Sequence, residues 1–321
     1  MFRKLNIKIL LSILLALIGV IVLVFMLDEK KGGRTIREEL VRLDSASVTS
    51  ILLYPQSDKH AEIKFFKEGA RWKVQKEKIM AEADSNGVRN LINTFKLIKP
   101  QRLASSEKSK WKDYSTDDSL GTRVKFFSGD KLYADVVVGK FSYNNNTRLG
   151  ISYLRLYNEE GVYAVDGFIP MEVNQPFNQW RNKLVFKGEK NNFTKLTFNY
   201  PADSGFVLQK ENGKWKADTA FADSAKVDQY LNTISYASST SFADACKETS
   251  PIMALSIEGN NMNRATIGAF LSDSIQRFIL HSSNNPEAYF SAGNEKIDEK
   301  FFKGKNYFLP IVIKEKSVKK K

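Results

Sequence analysis

The chain is poor in the side chains that most often carry catalysis and metal binding. Its 321 residues contain one cysteine, Cys246, and two histidines, His60 and His281. A single thiol excludes an intramolecular disulfide and a cysteine-rich metal site. Two histidines in non-equivalent parts of the chain are too few for a histidine-based metal site. We interpret Cys246 as a small packed residue rather than as a nucleophile.

The sequence also lacks the short motifs of phosphate, nucleotide and acyl-transfer chemistry. It contains no Gly-x-Ser-x-Gly elbow, no Walker loop and no Gly-x-Gly-x-x-Gly fingerprint. Its adjacent carboxylates, Asp117-Asp118 and Glu159-Glu160, would point to opposite sides of a strand, so neither pair is arranged for acid–base catalysis. We therefore predict a protein that is not an enzyme and that uses no cofactor and no metal.

Charge is absent from one stretch near the start of the chain. Ile9 to Leu27 contains no charged residue, and a helix of this length can cross a hydrocarbon core of about 30 Å. The run lacks the small residues of a cleavage site, which argues against a signal peptide. Basic residues flank it on both sides, and a short N-terminal tail favours the N-terminus inside. We expect a single-pass anchor in a bacterial inner membrane, with the C-terminal part in the periplasm.

The rest of the chain is basic, with a net charge of +13 and a pI near 9.5. Such a balance is compatible with an anionic surface nearby, but we favour scattered, solvated lysines as its explanation. Nucleic acid is not an expected partner, because the sequence has neither a recognisable nucleic-acid module nor a dense basic stripe. The last residues, 311–321, form a lysine-rich tail that could touch an anionic membrane.

One pattern of residues occurs twice in the soluble part. Each copy has an apolar run ending in Tyr-Pro, a second run with a Gly turn, a tryptophan, an Ala-Asp-Ser step and an apolar periodic stretch containing Asn-Thr. The markers of the first copy are Trp72, Asp84 and Gly139, and those of the second are Trp215, Asp223 and Gly268. Because order, spacing and residue type agree over a whole supersecondary unit, we predict two copies of one module.

Each copy is expected to contain one helix. Asp84 can cap a helix by accepting a hydrogen bond from a free backbone amide, and Asp223 can do the same in the second copy. Apolar residues then recur at helical spacing, at Val88, Leu91, Ile92, Phe95 and Ile98. Pro100 is expected to end this helix. The remaining apolar runs of each copy are typical of strands joined by Gly-containing turns.

The predicted fold class is α+β: a transmembrane helix and then two tandem related modules, each a mostly antiparallel sheet with one packed helix. The expected divisions are a short cytoplasmic tail (1–8), the anchor (9–27), a tether (28–47), the first module (48–169), an inter-module segment (170–190), the second module (191–310) and the basic tail (311–321).

The aromatic residues leave two readings open. Trp72 and Trp215 occupy equivalent positions, which favours core roles. Trp111, Tyr114, Tyr143 and Tyr153 lie outside the repeated frame. They could form a stacking platform for sugar rings if they were exposed beside lysines. We favour packing for these four as well.

The repeated order, including Trp72-x-Val74, Ala83-Asp84, Val138-Gly139 and Trp180-Arg181-Asn182-Lys183, resembles the DUF4340 family of membrane-anchored bacterial envelope proteins. The resemblance extends from about residue 48 to residue 293. The chain differs from the usual family pattern in a polar insertion, Ser142 to Thr147. The family supplies no catalytic or ligand-binding residue to carry over.

Members of this family are often linked to ABC-type export permeases and to gliding-motility-type auxiliary subunits. The resemblance therefore implies a non-enzymatic accessory subunit of such a transport assembly, and its expected partner is an integral-membrane permease or auxiliary subunit. The alternative that the residues leave open is a carbohydrate- or peptidoglycan-binding envelope module.

Overall fold

The structure is a computed structural model that describes residues 7–30, 37–144, 148–246, 250–272 and 277–310. Its α-helices are α1 (Ile7–Lys30), α2 (Ser85–Phe95), α3 (Ile169–Val173), α4 (Ser224–Ile234), α5 (Ile297–Phe301) and α6 (Lys305–Phe308). Strands outnumber these helices and every pairing between described strands is antiparallel. Mostly antiparallel sheets with few helices are thus confirmed as the architecture.

The first half of the chain forms one large sheet and one small sheet. Its strands are β1 (Val41–Arg42), β2 (Ser50–Tyr54), β3 (Ile63–Glu68), β4 (Arg71–Lys76), β5 (Ile79–Glu82), β6 (Leu97–Ile98), β7 (Pro100–Ser105), β8 (Thr122–Ser128), β9 (Lys131–Asn144), β10 (Leu149–Leu156) and β11 (Val162–Asp166). The large sheet has the order β5-β4-β3-β2-β8-β9-β10-β11-β7, and β1 pairs with β6.

The second half repeats this arrangement. Its strands are β12 (Leu184–Lys187), β13 (Phe193–Asn199), β14 (Phe206–Glu211), β15 (Lys214–Ala217), β16 (Ala220–Phe221), β17 (Tyr236–Ser238), β18 (Met253–Gly259), β19 (Ala265–Ser272), β20 (Arg277–Ser282) and β21 (Asn285–Ser291). The large sheet has the order β16-β15-β14-β13-β18-β19-β20-β21, and β12 pairs with β17. Strand by strand, this order matches that of the first sheet, except that a single bridge from Phe242 to Phe290 stands where β7 pairs with β11.

Two large hydrophobic cores, and a smaller cluster of Tyr153, Val162 and Ala164, lie against these sheets. We call the residues packed around the first sheet, 40–180, the first unit, and those packed around the second sheet, 184–309, the second unit. The segment predicted to separate two modules, 170–190, is divided between the cores: Phe177 and Trp180 belong to the first, and Val185 and Phe186 to the second. In the segment predicted as a tether, 28–47, Val41 is buried and pairs with Ile98, so packing begins before residue 48.

Helix α2 confirms most of the predicted helix. Asp84 is its N-cap and accepts hydrogen bonds from the backbone amides of Asn86 and Gly87. The buried residues on its inner face are Val88, Leu91, Ile92 and Phe95. The prediction was wrong at the C-terminal end of the helix, because α2 stops at Phe95 and Ile98 lies in β6. Pairing with β1 satisfies the backbone of Ile98 in an extended conformation, which also suits the residues before Pro100.

The repeat markers occupy equivalent places in the two units. Trp72 on β4 and Trp215 on β15 are only partly buried and pack against the margin of each core, so neither fills a core centre. Asp223 caps α4 as Asp84 caps α2, by accepting from the amides of Ala225 and Lys226. Gly139 on β9 and Gly268 on β19 both occupy positions with little space for a side chain.

The ends of the chain carry the remaining predictions. Within the residues that are described, no helix is both long enough and apolar enough to cross a membrane. The anchor predicted for 9–27 is therefore not confirmed. The basic tail, 311–321, lies outside the described residues, as do the first six residues of the predicted cytoplasmic tail.

Candidate functional site

A cleft lies in the first unit between α2 and the chain that follows β11. Its volume is about 620 Å³, within the range of roughly 300–1,000 Å³ that is usual for ligand sites. The cleft is lined by Asp84, Gly87, Asn90, Leu91, Asn93, Thr94, Met171, Glu172, Gln175, Gln179, Trp180 and Lys183. We call it the α2–α3 cleft.

Local sequence explains how the two walls are held together. Asp84 caps α2, and the first turn of this helix forms one wall of the cleft. The backbone amide of Asp84 also donates to the carbonyl oxygen of Trp180 at 2.8 Å. Ala83 and Arg181 form an antiparallel bridge beside this contact. The segment after α3 therefore runs along the start of α2, and the side chains between them face a common space.

The walls are polar and contain few charges. Lys183 lies 3.6 Å from the carboxylate of Asp84, and the hydroxyl of Thr94 donates to Glu172 at 2.5 Å. Four carboxamide side chains line the cleft, Asn90, Asn93, Gln175 and Gln179. The amide of Gln175 donates to the carbonyl oxygen of Met171. The other three carboxamides form no hydrogen bond with any residue that the structure describes, so their donors and acceptors are available to a ligand.

An exposed apolar patch lies beside the cleft at the end of the β9–β10 hairpin. The patch consists of Phe141 (43% exposed), Tyr143 (52%) and Phe168 (38%). Leu149 pairs with Asn144 and therefore lies on the other face of the hairpin. The Phe168 ring packs edge to face on Phe141, with centroids 5.5 Å apart, and parallel to Tyr143 at 6.5 Å. A side chain on Gly150 would clash with this ring, so the glycine allows Phe168 to lie on the strand. Clustered exposed apolar side chains are a feature of interaction surfaces.

A second, smaller hollow joins the patch to the cleft. It has a volume of about 320 Å³ and includes Phe168, Thr94 and Glu172 among its lining residues. Thr94 and Glu172 also line the α2–α3 cleft, so their hydrogen bond forms the ridge between the two hollows. Cleft, ridge and patch thus make one continuous face of the first unit.

Equivalent backbone contacts in the two units show which residues of the second unit correspond to those of this face. Asp223 caps α4, and its amide donates to the carbonyl oxygen of Phe308 at 2.8 Å, as Asp84 does to Trp180. Counting from these contacts, α5 corresponds to α3 and α6 to the 3-10 turn Phe177–Trp180. The residues at matching positions can therefore be compared directly.

The comparison shows that the second unit has larger side chains where the first has space. Gly87, Leu91 and Gln179 of the first unit correspond to Lys226, Tyr230 and Tyr307 of the second. The ammonium of Lys226 donates to the carbonyl oxygen of Leu309 at 2.9 Å, and the Tyr230 ring lies 6.4 Å from the Tyr307 ring. The second unit therefore fills with its own side chains the space that the first unit leaves open.

Side chains with potential for catalysis are dispersed. His60 contacts the carbonyl oxygen of Ser119 in the first unit, whereas His281 contacts that of Pro286 and stacks on Tyr289 in the second. Cys246 is a partly exposed free thiol. Among the described residues, no group of three or more histidine, cysteine, aspartate or glutamate side chains could hold a metal ion.

The buried arginine of the first unit has a structural role. Arg155 stacks on Trp111, with its guanidinium carbon 3.7 Å from the ring centroid, and donates to the carbonyl oxygens of Thr116 and Tyr157 and to Asp118. Burial lowers the pKa of Arg155, and the nearby Asp118 carboxylate opposes this shift. All three of its nitrogens have partners within the unit, so the group is not available to an external anion.

The four aromatics outside the repeated frame separate into two kinds. Trp111 packs against Arg155, and Tyr114 packs against Tyr153 with centroids 4.8 Å apart. Tyr143 is exposed and belongs to the apolar patch. The packing prediction is confirmed for Trp111, Tyr114 and Tyr153. It is wrong for Tyr143, because the β9–β10 hairpin extends beyond the sheet and carries this side chain into solvent.

Sequence reasoning missed the α2–α3 cleft. The aligned copies did contain a signal, since Gly87 of the first stands opposite Lys226 of the second while the neighbouring Asn93-Thr94 and Asn232-Thr233 agree. A small residue in one copy of a repeated helix, where the other has a long one, marks a place where the packing differs.

The comparisons with known proteins give one match. A family model with the description "Domain of unknown function (DUF4340)" matches residues 72–252. Neither a curated protein nor a solved structure matches the chain. The family match covers more than half of the sequence, and the chain belongs to the DUF4340 family.

Proposed function

We propose that this DUF4340 protein is a non-enzymatic, membrane-anchored envelope protein that serves as an accessory subunit of an ABC-type export or gliding-motility-type transport assembly. In this proposal the first unit contacts an integral-membrane permease or its auxiliary subunit. The second unit acts as a scaffold of the same ancestry. The cleft and patch on the first unit supply the contact surface.

The observation that carries the proposal is the apolar patch. A soluble surface rarely leaves several large apolar side chains clustered in solvent unless a partner covers them. Phe141, Tyr143 and Phe168 are all more than a third exposed, and their rings contact one another at one hairpin end and the turn beside it. A protein partner with a complementary apolar surface would bury them, at a gain of about 25 cal/mol per Å² removed from water.

The sequence supports the proposed anchor and location. The uncharged run from Ile9 to Leu27 is long enough for a single membrane span, and a single cysteine in a large ectodomain is compatible with a periplasmic setting. An anchored protein meets its membrane partner at a high effective concentration, so a modest contact surface is sufficient for a stable complex.

A carbohydrate- or peptidoglycan-binding role is the second candidate, and one observation favours it. Tyr143 lies parallel to Phe168 and is about half exposed, so this pair presents an aromatic surface to solvent. Sugar rings stack on aromatic surfaces of this kind through their apolar faces. A glycan ligand would use the patch without needing a permease.

A site-specific photo-cross-linker distinguishes these roles. We would replace Tyr143 by p-benzoylphenylalanine in the full chain, irradiate native membranes and identify the cross-linked partners by mass spectrometry. The matched control carries the same group at Tyr236, an exposed tyrosine of the second unit. Recovery of an ABC-type permease or auxiliary subunit from position 143, and not from 236, supports the accessory role. Recovery of wall fragments without a protein partner overturns it in favour of glycan binding.

A further inference from the structure

The α2–α3 cleft differs from its counterpart in the second unit by the loss of side-chain volume at three positions. Gly87, Leu91 and Gln179 leave space that Lys226, Tyr230 and Tyr307 occupy. Close packing is the rule in protein interiors, whereas this space is a surface cleft that a ligand can enter by displacing water. The first unit keeps the hollow, which a ligand can occupy.

We propose that the α2–α3 cleft binds an extended peptide segment of a partner protein, with uncharged or weakly basic side chains. This inference rests on the accessory role proposed above and names the kind of ligand its contact surface takes. The apolar patch supplies contact area beside the cleft, whereas the cleft supplies hydrogen bonds that fix the register of the bound segment.

The carboxamides of the cleft match the chemistry of an extended backbone. Each carboxamide presents an N–H donor pair and a C=O acceptor, as a peptide group presents one of each. The side chains of Asn90, Asn93 and Gln179 have no partner among the described residues, and all three line the cleft. Main-chain recognition of this kind gives affinity, while adjacent hollows select side chains. Met171, which is exposed at the edge of the cleft, is flexible enough to pack against different apolar side chains.

The lining is less suited to a sugar than to a peptide. Trp180 is the one aromatic residue among the lining side chains, and it is 6% exposed. Its ring packs edge to face against Phe65, with centroids 5.2 Å apart. No lining residue of this cleft therefore offers an open aromatic face on which a sugar ring could stack.

The charges of the cleft lining restrict the charge of the segment that it can bind. The lining contains Asp84 and Glu172 but only one cation, Lys183, in a chain whose net charge is +13. The cleft is thus a slightly acidic site on a basic protein. An anionic polymer would be attracted to the lysines elsewhere on the surface rather than to these carboxylates. A neutral segment, or one with a basic residue close to Glu172, fits the lining.

The second unit supplies the design of the blocking variant. The double substitution Gly87→Lys and Gln179→Tyr places in the first unit the residues that the second unit has at the matching positions. An added Cβ at Gly87 would meet the Asp84 side chain at ordinary contact distance, 3.5 Å, so the helix accepts a larger residue. The control is Arg89→Asp, which also copies the second unit, where Asp228 stands, but Arg89 does not line the cleft.

The experiment pans a library of random dodecapeptides against the full chain in lipid nanodiscs and measures the affinity of enriched peptides for each variant. We expect enriched peptides to bind at least about tenfold more weakly to the Gly87→Lys/Gln179→Tyr variant, a difference of about 1.4 kcal/mol. The same peptides should bind the Arg89→Asp variant as tightly as the original chain. Matching thermal unfolding midpoints for the three proteins would show that the blocked variant is folded.

Two results would overturn the inference. One is enrichment of peptides that bind the blocked variant as well as the original chain. The other is cleft-dependent binding of N-acetylglucosamine oligomers without any cleft-dependent peptide. In either case the accessory role still stands if the cross-linker at position 143 recovers a permease or auxiliary subunit, so the two proposals fail separately.

Discussion

Arg181, which directly follows the first unit, forms a two-point ion pair with Asp244 of the second unit. Nη1 of Arg181 lies 2.8 Å from Oδ2 of Asp244, and Nη2 lies 2.7 Å from Oδ1. The guanidinium also stacks on Phe242, with its central carbon 3.6 Å from the ring centroid. Close by, the side-chain amide of Asn285 donates to the carbonyl oxygens of Asn182 and Leu184. Polar side chains thus hold the connection between the units.

Removing the carboxylate should weaken this connection strongly. The Arg181 side chain is 2% exposed, and Asp244→Asn would leave its charge buried without a counterion. Such a loss costs about 3–5 kcal/mol when both partners are buried, and Asp244 is one-third exposed, so we expect about 2–3 kcal/mol. Urea unfolding of the full chain measures the change. The control is Asp228→Asn, which breaks an exposed pair with Lys190 and should change stability little. Equal effects of the two substitutions would show that burial of Arg181 does not matter.

The two equivalent glycines should differ in their tolerance of a methyl group. A Cβ at Gly139 would overlap the carbonyl oxygen of Tyr114 and lie 2.7 Å from Cγ2 of Thr116, whereas one at Gly268 would lie 3.1 Å from Cβ of Pro251. Overpacking against backbone cannot be relieved by a side-chain rotation, so we expect Gly139→Ala to cost about 3 kcal/mol and Gly268→Ala about 1 kcal/mol. Thermal unfolding of the two variants tests this order. A larger loss for Gly268→Ala would contradict it.

Local signals account for what the sequence predicted well. The capping aspartates, the apolar spacing of α2 and the turn glycines act over a few residues, so Asp84 and Asp223 could be placed on their helices without a structure. The matching order of strands in the two units also follows from the repeated residue pattern. The α+β architecture with mostly antiparallel sheets was accessible for the same reason.

Contacts between distant residues account for what the sequence did not predict. Ile98 leaves the helical pattern because Val41 of β1, 57 residues earlier in the chain, pairs with it. The α2–α3 cleft joins residues of α2 to residues that follow β11, and no local pattern records that approach. Tyr143 is exposed because the hairpin extends beyond the sheet, which depends on the length of both strands.

Loss of the first helix cap should be visible locally as well as globally. Asp84 accepts from the amides of Asn86 and Gly87 at 3.1 and 3.2 Å. Asp84→Ala removes both bonds and should cost about 1 kcal/mol, whereas Asp84→Ser keeps a capping oxygen and should recover most of the loss. Hydrogen–deuterium exchange of the peptide that spans α2 should be faster in the alanine variant only. Unchanged exchange in Asp84→Ala would mean that packing alone holds the first turn.

The second unit should lose part of its stability in acid through Asp218. The Lys305 ammonium, 2.6 Å away, and the backbone amide of Val207, 2.9 Å away, donate to its carboxylate and hold the pKa of Asp218 below its ordinary value. Because the folded-state pKa is the lower one, the stabilisation is complete above the unfolded-state pKa, near 3.9, and is lost as the pH falls through the folded-state pKa.

Comparison with Asp218→Asn isolates this contribution, since asparagine tolerates the left-handed backbone at this position, where φ is 54°. We expect the original chain to be more stable than the variant at pH 6, and the difference to shrink steadily below about pH 4. The difference should be under about 1 kcal/mol, because the pair is partly exposed. Unfolding midpoints measured at a series of pH values test the sign. A stability difference that grows towards low pH would contradict the assignment, because it would require the Asp218 pKa to be raised by folding.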